Sequence, residues 1–192
     1  MTEKATPIGR MLLKDARLAF PKLFEAEQVN GQGAPKFGAS FIIAPDHPQV
    51  AEIQEKMDVV GKAKWGAKWP AVKKAMEKQD RMALHDGDIK SKYDGYAGNL
   101  YISATAQESS PPTVVDRDRS PLSKTSGRPY AGCYVNASLE FWAQDNQFGQ
   151  RVNAQLRGVQ FLRDGDAFAA GRPADADEFD DVAEGAEGED FA

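Results

Sequence analysis

A chain of 192 residues with 41% hydrophobic and 28% charged side chains is long enough to bury one sizeable core, and it reads as a single domain with extensions. Its lone cysteine, Cys133, excludes an intrachain disulfide and suits a reducing compartment; the start, charged at Glu3, Lys4 and Arg10, lacks a signal-peptide run, and no segment approaches a membrane span, so a soluble cytoplasmic protein is expected. The net charge of −5 would argue against nucleic acid if it were spread evenly, but nine of the 29 acidic residues lie in 173–192, which has no Lys or Arg, and the body keeps 24 basic against 20 acidic residues, a net of +4.

The opening run Met11 to Phe20 (MLLKDARLAF) predicts a first strand ended by Pro21, which cannot donate to a ladder. Lys14 and Arg17 on it are candidate phosphate contacts, although a solvated strand face explains either one equally well. Gln28 to Pro35 is turn-rich, and Lys36 to Ile43 follows with Phe37, Ala39, Phe41 and Ile43 on one side, so these runs predict a hairpin. Asp46, ahead of His47 and Pro48, marks a helix start, and Val50, Ile53, Met57 and Val60 recur at spacings of three and four, as an amphipathic helix on a sheet requires. From Lys62 to Lys78, Trp65 and Trp69 interleave with lysines that could track a nucleic-acid backbone. Val72 and Met76 keep helical spacing with Trp69, however, which favours core packing for that ring and a solvated face for the lysines.

His85 to Gly98 (HDGDIKSKYDGYAG) is polar and Gly-rich and reads as a loop carrying Tyr93 and Tyr96 as candidate stacking rings. Its HDGD start has metal-ligand chemistry, but Asp-Gly is above all a turn dipeptide and no third ligand cluster stands nearby, so no metal site is assigned. Asn99 to Gln107 alternates cleanly, with Leu100, Ile102, Ala104 and Ala106 inward and Tyr101, Ser103, Thr105 and Gln107 outward. Glu108 to Arg128 is too rich in Pro and Ser for a helix and bears Arg117, Arg119, Lys124 and Arg128. A loop of this length is usually functional or disordered, and the reading is a basic flap, with a plain surface excursion as the alternative.

The stretch Tyr130 to Gln144 (YAGCYVNASLEFWAQ) is the most informative. One face, Cys133, Val135, Ala137, Leu139 and Phe141, is apolar throughout and points to a core; the other carries Tyr134, Asn136, Ser138, Glu140 and Trp142. Rings at the ends of a small polar row suit stacking on bases, which is worth about 1–3 kcal/mol per base and needs no particular sequence. Alternatively, both rings cover sheet edges. Tyr101 on the preceding strand extends the same pattern and argues for a shared platform. A turn over Asp145 to Gly149 and a last strand over Arg151 to Leu162, bent or bulged at Gly158, complete the body.

Read together, RLAFPKLFEA (Arg17 to Ala26), PKFGASFIIAPD (Pro35 to Asp46), LHDGD (Leu84 to Asp88), PPTVVD (Pro111 to Asp116), YAGCYVNASLEFWA (Tyr130 to Ala143) and GVQFLRDGD (Gly158 to Asp166) resemble the phage-type single-stranded DNA-binding proteins that share an OB-fold. The resemblance spans most of the body. It implies a mainly β, five-stranded barrel with one or two helices over residues 1–172, non-specific single-strand binding through a basic and aromatic groove, neither catalysis nor cofactor, and host-cell cytoplasm as the location. Residues 173–192 then form a disordered acidic tail whose Asp180, Asp181, Glu189, Asp190 and Phe191 resemble the segments by which such proteins engage replication or recombination partners, although Ala192 follows the Phe here. Two other readings are a metal-dependent nuclease using Asp86, Asp88, Asp116 and Asp118, and a virion or anti-host protein with a DNA-mimicking tail. Oligomeric state is not legible in the sequence.

Overall fold

An Asn30-Gly31 pair, both residues at positive φ (53° and 68°), makes the tight turn between two long strands in the computed structural model, which describes residues 6–169. Asn-Gly is the preferred pair for such a turn because its left-handed backbone matches the twist of the flanking strands. The hairpin so formed joins β1 (Arg10–Val29) to β2 (Gln32–Ile43). Then come α1 (Val50–Trp65), α2 (Trp69–Lys78), β3 (Leu84–Asp86), β4 (Leu100–Gln107), β5 (Thr113–Val115), β6 (Tyr134–Asn146) and β7 (Gly149–Arg163).

Strand order is β3-β4-β2-β1-β6-β7-β5, and a parallel contact of β4 with β7, Ala104 opposite Ala154, joins the two halves of that sheet. Strands β1, β2, β4, β7 and β6 therefore form the five-stranded ring that the resemblance implied, with β3 and β5 as short additions. Inward residues of every ring strand fill the barrel: Leu13, Phe41, Ile102, Val135, Leu139, Phe141, Leu156 and Phe161 are all essentially inaccessible. Helix α1 covers one side with Ile53, Met57 and Val60, and Trp69 of α2 is buried against the same core and stacks on Trp65 with ring centroids 5.6 Å apart.

Several boundaries differ from the sequence reading. Pro21 does not end β1. Between Ala19 opposite Ser40 and Lys22 opposite Gly38, two residues of β1 face one of β2, and this bulge asks no backbone donor of Pro21. Phe20 in the bulge sits at φ 47°, a left-handed conformation uncommon for a bulky residue. The helix starts at Val50 rather than Asp46, because His47 and Gln49 fasten the connection to β1: the Gln49 amide accepts from Lys14 N–H at 2.7 Å and donates to the Leu12 carbonyl at 2.9 Å. His85 and Asp86, expected in a loop, form with Leu84 a short strand paired to β4. The Glu108 to Arg128 loop is not a free excursion either: β5 lies parallel to β7, where Gly158 leaves room for the Thr113 carbonyl, and a β-bulge at Arg157 marks the bend expected there.

Candidate nucleic-acid interface

Cross-strand register brings polar and charged side chains of three strands onto one outer face. Tyr134 of β6 lies opposite Arg17 of β1 and Arg163 of β7, Asn136 opposite Gln160, Ser138 between Leu12 and Gly158, Glu140 between Arg10 and Gln155, and Trp142 opposite Asn153. Trp142 is 45% exposed and borders a hollow of about 350 Å³ shared with Lys36, Thr105, Gln107 and Gln155. A second shallow hollow, about 310 Å³, lies over Leu12, Asn136, Ser138 and Gln160, with Arg157 and β5 at its rim. Glu140 takes two arginines, Arg10 at 3.0 Å and Arg157 at 3.2 Å, so the cluster keeps a positive excess. Lys14 and Arg151 are exposed on this face and form no ion pair among the described residues.

The structure separates the expected contacts into two groups. Lys14, Tyr93, Arg117, Arg119 and Trp142 are exposed. Tyr96 and Tyr101, read from sequence as stacking rings, are buried at 0% and 4% exposure in a small second core with Ala19, Ile42 and Phe168, and burial pushes both phenols up. They present no free ring face. Arg17 is a structural residue: its guanidinium donates to the Gly132 carbonyl at 3.1 Å and the Asp166 carbonyl at 2.8 Å, and lies 4.4 Å from the Phe168 ring centre. Arg128 pairs with Asp116 at 2.6 Å and Lys124 with Glu25 at 2.7 Å, so half of the loop's cations are engaged within the protein. Tyr134 is half-buried under the Arg163 guanidinium, 4.0 Å from its ring centre, and offers less stacking surface than Trp142. Asp180, Asp181, Glu189, Asp190 and Phe191 lie outside the described residues.

Sequence reading missed Arg151, Arg157 and Arg163, the last two of which pair with Glu140 and Asp15, and Phe20. The signal for the three arginines was present, since they recur every six residues along one strand. Nothing marked Phe20, whose exposure follows from the bulge. The four carboxylates considered for metal-dependent cleavage do not converge. Asp86 accepts from the Asp88 N–H, Asp88 from the Gly98 N–H, Asp116 holds Arg128, and Asp118 accepts from Ser120; among the described residues no group of three or more His, Cys, Asp or Glu is arranged to hold a metal. No helix among them is long and apolar enough to cross a membrane.

Residues 10–192 match the family described as "Enterobacter phage Enc34, ssDNA-binding protein". A protein designated p50 from Acyrthosiphon pisum secondary endosymbiont phage 1 is 49% identical over 176 residues, covering 90% of this chain and 94% of that one. The single-stranded DNA-binding protein of bacteriophage Enc34 in complex with ssDNA superposes with a TM-score of 0.69 at 23% identity, covering 86% of this chain and 99% of that one. The same phage protein in another structure gives 0.66 at 25% identity, with 90% of each chain covered. Bacteriophage T7 gp2.5, also described as a single-stranded DNA-binding protein, shares the fold at a TM-score of 0.57 and 13% identity, over 90% of this chain and 96% of that one.

Proposed function

The chain belongs to the Enterobacter phage Enc34 ssDNA-binding protein family, and we propose that it binds single-stranded DNA without regard to sequence, protecting and organising it during phage replication or recombination in the host-cell cytoplasm. One observation carries the residue-level reading: on the outer face of β1, β6 and β7, uncovered cations flank a row of small polar groups that ends in the half-exposed Trp142. Cations along the track neutralise phosphates and supply affinity that ignores sequence, while an exposed indole stacks on any base. A duplex keeps its bases stacked on one another and so cannot use the indole, which is what makes single strands the preferred ligand.

In this reading residues 1–172 bind DNA and residues 173–192 serve as a partner-recruiting tail, with Asp180, Asp181, Glu189 and Asp190 supplying charge and Phe191 an apolar anchor. Nine carboxylates tethered to a body of net +4 also meet its basic face at a high effective concentration, so the tail competes with DNA. The test is a gel-shift panel of single-stranded DNA, RNA and duplex at two salt concentrations. Single-stranded DNA should be retained over duplex, more weakly at the higher salt; equal retention of duplex would overturn the proposal.

A further inference from the structure

We infer that the groove between the β1 bulge and the 90–98 segment is a nucleobase-stacking subsite that continues the β6 track, with Phe20 and Tyr93 as its open rings; this rests on the single-strand reading above. The groove measures about 630 Å³, within the usual range of ligand clefts, and its wall is mostly apolar, formed by Phe20, Tyr93, Tyr96, Tyr130 and Phe168. Phe20 is 42% exposed and Tyr93 41%, and they meet edge to face with centroids 5.1 Å apart. Single exposed apolar residues are ordinary, but two large rings turned toward each other across a concave apolar surface mark a binding site.

Backbone geometry supports the same assignment. Phe20 reaches the groove from a left-handed φ of 47°, a conformation that costs energy for a bulky side chain, and although the ring packs on Tyr93 and Tyr96 it keeps 42% of its surface open to the groove side. Charge fits a nucleotide as well. The two carboxylates at the groove are engaged, Glu27 by Lys22 at 3.0 Å and Asp94 by the Ala169 N–H at 2.9 Å. Lys92 stands 5.0 Å from the Tyr93 ring centre with no ion pair among the described residues, placed to meet a phosphate while the ring takes the base. The groove also adjoins the β6 track: the Arg17 guanidinium lies 5.7 Å from the Tyr134 ring centre, at the end of that track, and 4.4 Å from Phe168 in the groove wall. A strand leaving Tyr134 would pass over Arg17 to reach the groove.

The test compares an oligo-dT with an oligonucleotide of equal length whose interior sites are abasic, on the full-length protein at low salt. Wild type should prefer the one with bases. Phe20→Ala and Tyr93→Ala should each weaken oligo-dT binding by about five- to 150-fold and leave the abasic strand unaffected, while Phe20→Tyr and Tyr93→Phe retain the preference. An oligonucleotide carrying 5-iodouracil should photo-crosslink to peptides containing Phe20 or Tyr93. Should wild type bind oligo-dT while both alanine variants match it and cross-links map elsewhere, the subsite is refuted and the single-strand reading survives. Wild type that binds no oligo-dT refutes both. Variants that lose binding of a synthetic 173–192 peptide but not of oligo-dT would show that the groove receives protein and overturn the base assignment. If Phe20→Ala fails to fold because of its backbone, Tyr93→Ala and the cross-link map decide.

Discussion

On β6 the outward row ends in Trp142, 45% exposed, whereas on β4 the outward Tyr101 is 4% exposed. Both residues sit on the solvent-side parity of barrel strands, so alternation alone treats them alike. What differs is the company they keep. Around Trp142 the neighbouring strands contribute Asn153, Gln155 and Thr105, polar groups with no need of cover. Around Tyr101 they contribute Ile42 of β2 and His85 of β3, whose ring stacks on it at 4.9 Å, and Tyr96 and Phe168 fold over it with Ala19 into a second core. An outward face stays open for a ligand only where no other part of the chain folds over it.

The largest effect should come from the covered side. Tyr96→Ala removes a fully buried ring and should cost about 3–5 kcal/mol of stability, seen as a lowered melting temperature. A Tyr96→Ala protein of wild-type stability would mean that the second core is no core. Trp142→Ala should behave in the opposite way, losing about 1–3 kcal/mol of single-strand affinity at a nearly unchanged melting temperature; calorimetry and titration on the same sample separate the two.

Next in size is the loop. Replacing Arg117 and Arg119 by Gln should flatten the dependence of log affinity on log salt by about 0.7 for each phosphate that is no longer neutralised. Arg128→Gln should instead lower stability by at most about 1 kcal/mol and leave the slope alone, because that guanidinium holds Asp116. Identical slopes for all three proteins would remove the loop from the interface. Removing residues 174–192 should raise single-strand affinity by a few-fold at low salt and by less as salt screens the competition, measured with a fluorescent oligonucleotide; equal affinities at both salt levels would reject tail competition. The smallest effect concerns Cys133, whose thiol burial pushes up to about 11. With its pKa raised, the thiol stays neutral below that pH, so native protein at pH 8 should resist iodoacetamide and react only once unfolded. Fast native-state alkylation would show that the β6 end of the core opens.

Much of the fold was legible in the chain. Period-two alternation assigned the inward faces of β4 and β6 correctly, helical spacing placed Trp69 in the core, and the motif blocks identified the barrel and the family, because each of these depends on residues close together in sequence. Pairing, however, is decided across the ring. The bulge that carries β1 past Pro21 and turns Phe20 outward exists only against β2, and the bonds that engage Arg17 reach residues 115 and 149 positions away. Likewise, the burial of Tyr96 and Tyr101 depends on Phe168, which closes over them from the end of the described chain. Alternation fixes which side of a sheet a residue faces; whether that side meets water or another part of the chain depends on contacts that only the closed barrel brings together.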